Sequence, residues 1–222
     1  MHIAVNGWFW HQTHTGSGQY VRRLVHTLSA LHADVKLTVL LPTDEAPRTE
    51  PSPPNLTIVY HPTSRSNLSK VRWEQIGVPR LARQAGADLL HVPYWAPPIR
   101  APMPVVITVH DLIPLILPAY RGSARVRLYT ALVASATSNA ALVITDSYAA
   151  RNDIIQHLNL PPERIYTVHL AADPVYIPES GPQDAEIRAQ WGLTSPYILY
   201  LGGFDVRKNV GMALQAFAQA SR

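Results

Sequence analysis

Two glycines open the first predicted helix, at a position where a bound anion would be stabilised. Gly16 and Gly18 follow Thr15 and precede apolar residues at helical spacing. Backbone N–H groups at a helix N-terminus that side chains leave uncovered can bind a phosphate oxygen. The dinucleotide fingerprint requires a third glycine or alanine where this chain has Val21, and it requires the glycines directly after the strand. An NAD-dependent oxidoreductase is therefore disfavoured, and a tight turn before a helix would explain the same residues without a ligand.

A histidine and an aspartate follow the fifth predicted strand. The imidazole of His110 could donate a hydrogen bond to a sugar hydroxyl or a phosphate oxygen, and Asp111 is its neighbour in the sequence. A strand-end histidine that bonds a backbone carbonyl is the structural alternative. Tyr94 and Trp95 follow the fourth predicted strand, and their rings could stack on a sugar face or simply pack onto the sheet.

Two adjacent cations precede the last predicted helix. Arg207 and Lys208 lie directly before Asn209, where the macrodipole disfavours positive charge. A bound phosphate would offset that repulsion, whereas a solvated basic pair would need no ligand.

Several other kinds of chemistry lack their residues. The chain has no cysteine, which excludes disulfides, thiolate metal sites and a thiol nucleophile. The ten histidines form no H-E-x-x-H pattern, and neither a G-x-S-x-G elbow nor a Walker loop occurs. No metal site is therefore expected.

These residues lie at the ends of apolar runs that alternate with helical patterns. Near-continuous apolar strands with intervening helices predict an α/β fold, a Rossmann-like parallel sheet with helices on both faces. Ligands of such sheets bind at the carboxyl ends of the strands, where the strand order reverses.

The predicted strands are His2–Asn6, Val35–Leu41, Leu56–Tyr60, Asp88–Val92, Val105–His110, Ala141–Thr145, Arg164–Val168 and Pro196–Leu201. The predicted helices are Tyr20–Leu31, Val71–Leu81 (interrupted by Gly77 and Pro79), Arg121–Asn139, a helix capped by Ser147 and running to Leu158, Asp184–Trp191 and Asn209–Ala220, with a proline-rich loop over Asp44–Pro54.

The composition is that of a folded protein with a sizeable core. Of the 222 residues, 47% are hydrophobic and 15% charged, and 19 basic against 15 acidic residues give a formal charge of +4. This excludes disorder as the main state. The cations are scattered rather than arranged as a stripe, so no nucleic-acid partner is expected.

No segment predicts a membrane span or a secretory signal. The most apolar stretch, Val105–Leu117, is broken by His110, Asp111 and Pro114. It is also shorter than the ~20 residues that a span requires. The N-terminus lacks a basic region and a small-residue cleavage site. We therefore expect a cytoplasmic protein.

One basic segment contains an aromatic residue and could lie against the inner face of a membrane. It comprises Lys70, Arg72, Trp73, Arg80 and Arg83. A solvated helix face is the alternative explanation of the same residues.

The alternation of predicted strands and helices indicates one complete domain and the start of another. We expect an N-terminal Rossmann-like domain at 1–170, a linker with a short helix at 171–195, and a first strand–helix unit of a second domain at 196–222. A single such unit cannot cover its own apolar faces. A whole second domain would require on the order of 100 more residues.

Five segments, in this order, resemble family 4 glycosyltransferases. They are Thr15–Tyr20, Ala87–Pro93, Val106–Pro114, Val143–Ser147, and Tyr200–Gly203 with Arg207–Asn209. The chain is similar to the N-terminal half of such an enzyme plus the first strand–helix unit of its C-terminal half.

The resemblance implies a GT-B architecture, in which two Rossmann-like domains face each other across a cleft. The N-terminal domain would hold the acceptor and the C-terminal domain the nucleotide sugar. Transfer would retain the anomeric configuration without a metal or other cofactor, and positive side chains and backbone amides would stabilise the departing diphosphate.

The same resemblance assigns roles to individual residues. His110 would be the catalytic histidine that faces the transferred sugar. Gly16, Gly18, Arg207 and Lys208 would bind the donor diphosphate, and we regard Tyr94, Trp95 and Asp111 as candidates for acceptor binding. The chain departs from the family at Gly202-Gly203, where many members carry Gly-Arg, and it lacks the downstream Glu-x7-Glu segment.

We therefore expect a retaining hexosyltransferase that uses a glycan or a lipid-linked acceptor and is inactive as the 222-residue chain alone. A binding or assembly module, or one half of a split enzyme, is the alternative. We also expect that Tyr197–Leu201 exposes an open strand edge. That edge should pair with the parent sheet, exchange between protomers to give a homodimer, or be disordered.

Overall fold

The computed structural model describes residues 1–43, 52–64 and 66–220. The chain divides into two compact units, Met1–Ala171 and Ala172–Arg222. Most of the predicted proline-rich loop, residues 44–51, lies outside the described residues.

The first unit is built on a seven-stranded sheet in which every neighbouring pair is parallel. The strands follow the order β3-β2-β1-β4-β5-β6-β7. They are β1 His2–Asn6, β2 Lys36–Thr43, β3 Leu56–Pro62, β4 Leu89–Val92, β5 Val105–Thr108, β6 Leu142–Thr145 and β7 Ile165–Thr167. The predicted Rossmann-like α/β class is confirmed, and the strand order reverses between β1 and β4.

Side chains point to alternate faces of the sheet along each strand, and a core cluster packs on each face. Ile3 and Val5 pack with Val21 and Val25 in one core cluster. Ala4, which lies between them, packs with Trp73 and Val78 in the other. The helices of the first unit are α1 Gly16–Leu31, α2 Asn67–Arg72, α3 Val78–Gln84, α4 Ile113–Ile116, α5 Ala124–Thr137 and α6 Tyr148–Leu158.

Side-chain caps mark the start of α1, α2 and α6, and those of α1 and α6 lie closest to the predicted motifs. Thr15 accepts a hydrogen bond from the Gly18 N–H at the start of α1. Ser147 accepts one from the Ala150 N–H at the start of α6, which confirms the predicted cap. Each cap satisfies an N–H group that has no partner inside its helix.

The predicted interruption of the second helix is instead a π turn that joins α2 to α3. Trp73–Gly77 forms the turn, and the Val78 N–H donates to the Trp73 carbonyl five residues back. Pro79 cannot donate a backbone hydrogen bond, and in a regular α-helix its ring would clash with an earlier carbonyl. The wider turn accommodates Pro79 without ending the helical run. Trp73 is 2% exposed, so it belongs to the core and cannot be the membrane-facing aromatic that the basic segment suggested.

Within residues 172–220, the second unit contains two helices and a short 3₁₀ turn. They are α7 Asp184–Gln190, the turn Val206–Lys208 and α8 Val210–Ala220. The predicted strand Pro196–Leu201 is wrong, since residues 196–201 form no strand. A strand requires a hydrogen-bonded neighbour, and the described part of this unit holds no other strand. Ile198 and Leu199 are therefore 79% and 68% exposed.

No helix in the described ranges is both long enough and apolar enough to cross a bilayer.

Candidate functional site

Polar side chains collect at the carboxyl edge of the sheet, where β1, β4, β5 and β6 end. The strand order reverses between β1 and β4 at this edge, which is where ligands of such sheets bind. His110 lies two residues after β5, and Asp146 lies one residue after β6. Because β5 and β6 are neighbours, their parallel pairing brings these two side chains together.

The side chains of His110 and Asp146 lie within ion-pair distance of each other. The His110 Nδ1 atom lies 2.6 Å from Asp146 Oδ2, and the two side chains are 27% and 19% exposed. A carboxylate accepts hydrogen bonds, so Nδ1 carries the proton of this bond. The bond fixes the orientation of the ring and directs Nε2 away from the carboxylate.

Tyr20 connects the N-terminal part of α1 to this pair. Its ring packs edge-on against the His110 ring, with centroids 4.8 Å apart. Its hydroxyl lies 3.1 Å from Thr108 Oγ1, and His91 Nε2 lies at the same distance from that oxygen. Burial raises the pKa of Tyr20, and complete burial lowers the pKa of His91 to about 4. A neutral hydrogen-bonded chain therefore supports the floor of the site.

Four buried polar atoms at this edge have no hydrogen-bond partner within the described protein. They are His110 Nε2, Asp146 Oδ1, Thr145 Oγ1 and Thr167 Oγ1. Among the described residues the fifth such atom is Trp10 Nε1, which lies in the core cluster of Ile3 and Val5. Buried polar groups are normally satisfied, so a cluster of unsatisfied ones indicates a place where another molecule supplies the partner.

The two glycines of the sequence prediction differ in their surroundings. A Cβ atom at Gly18 would lie 2.0 Å from the Gln12 carbonyl oxygen, so glycine there is required by packing. A Cβ at Gly16 would meet nothing within 4 Å. Among the described residues, the N–H groups of Gly16 and Ser17 find no acceptor. The start of α1 is therefore open at Gly16, as an anion site requires.

The three candidates for acceptor binding occupy different environments. Tyr94 is 6% exposed and packs edge-on against Phe9, so its face is not available to a sugar. Trp95 is half-buried and donates from Nε1 to Thr137 Oγ1. Asp111 is exposed and accepts a hydrogen bond from the Ile113 N–H at the start of α4. Of the three, only Asp111 presents its polar atoms to solvent.

Sequence reasoning missed a buried network beside the site. Glu74 is 1% exposed, and its carboxylate accepts hydrogen bonds from the hydroxyls of Tyr94 and Tyr129. Lys70 Nζ lies 2.7 Å from Glu74 Oε1, and it faces the rings of Trp8, Tyr94 and Tyr129. The i,i+4 spacing of Lys70 and Glu74 is visible in the sequence, but their burial is not.

Asn6 ties this network to the end of β1. Its Nδ2 donates to the Tyr94 hydroxyl, and its Oδ1 accepts from Trp73 Nε1 and from the Trp8 N–H. Burial is the main cause that raises the pKa of Tyr94 and of Tyr129, with the Glu74 charge adding to it. Both phenols therefore stay protonated and keep donating to Glu74. The network fixes the loop that leads from β1 to the glycines.

The predicted diphosphate cations lie in the second unit. Arg207 and Lys208 belong to the 3₁₀ turn, and Asp205 caps it by accepting from the Arg207 N–H. Arg207 Nε lies 3.4 Å from Asp205 Oδ1, and both side chains are about two-fifths exposed, at 41% and 42%. Asn209 follows in the left-handed conformation, with φ of 46°, so α8 begins after a break. Both cations are exposed to solvent.

No group of three His, Asp or Glu side chains gathers anywhere in the described ranges to hold a metal ion.

The chain matches a family model and a curated protein. The model described as Glycosyltransferase Family 4 matches residues 14–176. The O-antigen chain mannosyltransferase B of Escherichia coli is 34% identical over 113 residues, which cover 50% of this chain and 30% of that protein.

Several solved structures share the fold of this chain. Sucrose-phosphate synthase from Thermosynechococcus elongatus superposes with a TM-score of 0.69 at 17% identity, covering 99% of this chain and 60% of its own. WaaG, a glycosyltransferase involved in lipopolysaccharide biosynthesis, gives 0.62 at 17%, with coverage of 97% and 59%. Anabaena HepE in complex with UDP and glucose gives 0.61 at 16%, with coverage of 99% and 58%. The chain therefore spans about three-fifths of these structures and 30% of the curated relative.

Proposed function

The chain belongs to glycosyltransferase family 4, and on that premise we propose that it forms the acceptor-side part of a retaining glycosyltransferase. The enzyme would transfer a hexose from a nucleotide sugar to a glycan or a lipid-linked acceptor. In a retaining transfer, the acceptor oxygen bonds the anomeric carbon on the face from which the nucleoside diphosphate departs.

The observation that carries this proposal is the group of unsatisfied polar atoms around His110. Its Nδ1 is engaged by Asp146, and its Nε2 has no partner in the described protein. A sugar hydroxyl can both donate and accept hydrogen bonds, so it can satisfy Nε2 in either protonation state. Nε2 is buried, and such a contact requires the packing around His110, which includes the Tyr20 ring, to open.

The charge of the leaving diphosphate would be stabilised by backbone amides and cations rather than by a metal. The uncovered N–H groups at Gly16 would supply the amides, and Arg207 with Lys208, in the second unit, stay predicted as the cations. Donors that are oriented before the reaction stabilise developing charge without reorganising. That HepE forms a complex with UDP and glucose supports a nucleotide sugar as the donor of this chain too.

We further propose that the 222-residue chain alone turns over little or no substrate. This chain spans about three-fifths of the sucrose-phosphate synthase and WaaG structures. The Glu-x7-Glu segment of the family is not among the residues of this chain. The ribose and the donor sugar would therefore lack part of their binding site.

The test is a turnover assay with a panel of UDP- and GDP-sugars and saccharide or lipid-linked acceptors. The chain is assayed alone and joined to the C-terminal half of a family 4 relative. We expect product only from the joined form, with the anomeric configuration of the donor retained, and loss of that product in His110→Ala. Turnover by the 222 residues alone would refute the claim of inactivity, and an inverted product would refute the mechanism.

A binding or assembly module is the second candidate, and the exposed apolar side chains of the second unit favour it. Ile198, Leu199, Leu201 and Phe204 are between 68% and 87% exposed. Such side chains are normally covered by another surface. The partner would be a separate C-terminal chain or a second copy of this one. Light scattering during gel filtration, with and without the added half, distinguishes a homodimer from a split enzyme.

A further inference from the structure

A cavity of about 470 Å³ lies at the carboxyl end of β3, between that strand and the α2–π–α3 helical run. Its lining includes the polar side chains of His61, Ser64, Ser69, Arg72 and Arg80. We propose that this cavity binds a phosphoryl group.

The charge of the cavity is the first argument. Arg72 and Arg80 both line it, and neither forms an ion pair or hydrogen bond within the described residues. No carboxylate stands among the lining side chains. Two guanidinium groups with unused donors attract an oxyanion, and their planar forks match the oxygens of a phosphoryl group.

The π turn is the second argument, because it brings the two arginines to one wall. Residues eight apart on an α-helix of 3.6 residues per turn lie about 80° apart around the axis. The turn at Trp73–Gly77 takes up one additional residue between Arg72 and Arg80, which reduces that angle. An uninterrupted α-helix would direct the second guanidinium away from the first.

Neutral donors complete the polar side of the cavity. Ser64 Oγ and Ser69 Oγ lie 2.7 Å apart, so one of the two hydroxyls donates to the other and the remaining hydroxyl hydrogen can turn toward an oxyanion. His61 uses Nδ1 toward Thr63 Oγ1, which leaves Nε2 for a ligand. The lining also includes apolar side chains, among them Trp73 in the core and Ile76, which is 59% exposed. An ester carbon attached to the phosphoryl group would lie against these side chains.

The cavity is separate from the site at His110. None of its lining residues belongs to that site, and β3 lies four strands from β5 in the sheet. At about 4.8 Å per strand, the two strands are about 19 Å apart. The diphosphate of a donor must lie beside the reacting carbon, so it cannot also occupy this cavity. If the proposed function holds, the phosphoryl group belongs to the acceptor, whereas the binding itself does not depend on that function.

The first experiment measures binding of pyrophosphate and of inorganic phosphate to the 222-residue chain by calorimetry at low ionic strength. We expect saturable binding that includes a site dependent on Arg72 and Arg80, in addition to any binding at the start of α1. The double variant Arg72→Gln/Arg80→Gln should weaken binding at least about tenfold, as expected when charged hydrogen bonds are lost. Arg83→Gln is the matched control, because Arg83 lies on α3 but not in the cavity wall. Its affinity should stay within about twofold, the variation usual for surface changes.

A second measurement keeps the test valid if the double variant does not fold. Pyrophosphate should shift the NMR signals of the Trp73 side chain in the unaltered protein. Absence of saturable binding, a Trp73 shift that survives the double variant, or an equal loss of affinity in Arg83→Gln would each overturn the proposal.

Vesicles identify the source of the phosphoryl group. Flotation is compared for vesicles of phosphatidylcholine with and without phosphatidic acid. Binding to the acidic vesicles that requires Arg72 and Arg80 but not Arg83 assigns a lipid headgroup. Binding of pyrophosphate alone assigns a soluble phosphate. In the joined enzyme, transfer at unchanged KM without the two arginines would overturn the assignment of the phosphoryl group to the acceptor, but not the proposed function. Phosphoryl binding in a joined enzyme that transfers no sugar would overturn the proposed function, but not the binding site.

Discussion

The Nδ1 atom of His110 and the Oδ2 atom of Asp146 lie 2.6 Å apart, across the ends of two neighbouring parallel strands. Neither residue is inside a strand, but each follows one within two positions. The register of β5 against β6 therefore determines the separation of the pair. A carboxylate at this distance holds the imidazole in one orientation, which makes Asp146 a positioning residue for His110.

Replacement of Asp146 by asparagine should release that orientation. An amide can present either an acceptor or a donor to Nδ1, so the preference of neutral His110 for the Nδ1–H tautomer should be lost. The measurement is the ¹⁵N spectrum of the His110 ring. Asp111→Asn is the control, because Asp111 is exposed and bonds the Ile113 N–H instead. An unchanged tautomer in Asp146→Asn would contradict the positioning role.

Gly18→Ala and Gly16→Ala should differ sharply in stability. The new methyl group at residue 18 would collide with the Gln12 carbonyl oxygen, and we expect a loss of about 3 kcal/mol in the free energy of unfolding. At residue 16 the space is open, so alanine should change that free energy by less than about 1 kcal/mol and in the stabilising direction. Urea denaturation of both variants checks the contrast. Equal losses of stability in the two variants would contradict the close approach of Gly18 to the Gln12 carbonyl.

Glu74→Gln should be strongly destabilising although it preserves the shape of the side chain. Two phenol hydroxyls and the Lys70 ammonium all donate to the Glu74 carboxylate. Glutamine offers one acceptor oxygen and adds a competing donor, which leaves buried groups unsatisfied. We expect a loss of about 3 kcal/mol in the free energy of unfolding.

The matched control for this variant is Glu163→Gln, since Glu163 is exposed. Its free energy of unfolding should change by no more than about 0.5 kcal/mol. A loss in Glu74→Gln no larger than in the control would show that Glu74 is solvated in solution.

His91 should make the protein sensitive to mild acid. Burial lowers the pKa of His91 from 6.5 to about 4, so between these values the unfolded chain binds a proton that the folded chain excludes. Stability from this group is complete above pH 6.5 and is lost as the pH falls toward 4. At pH 4.5 the linkage amounts to about 2 to 3 kcal/mol.

Denaturant titrations at pH 7.5 and 4.5 measure this loss. His91→Gln should reduce the difference between the two pH values by that amount. Thr108→Val removes the hydrogen bond to His91 but keeps the titrating group, so it should keep the difference. A difference that is the same in His91→Gln as in the unaltered chain would contradict the burial of His91.

Local patterns in the sequence were sufficient for most of the first unit. Each strand up to residue 168 is an apolar run closed by a polar residue or a proline, and burial on both faces requires such runs. The Ser147 cap and the helix that follows it depend on neighbouring residues alone, and both are found. Five ordered motifs likewise suffice to identify the family, because they preserve the loops that follow the strands.

Other features depended on residues far apart in the chain. The burial of Glu74 with Tyr94 and Tyr129, the pairing of His110 with Asp146, and the π turn at Trp73 join elements that no local pattern relates. The apolar run Pro196–Leu201 also depends on distant residues, since its composition favours a strand but no partner strand is described beside it. Composition and spacing set which conformation a segment prefers. Which side chains become buried, paired or left unsatisfied is decided only when the strand register brings distant residues together.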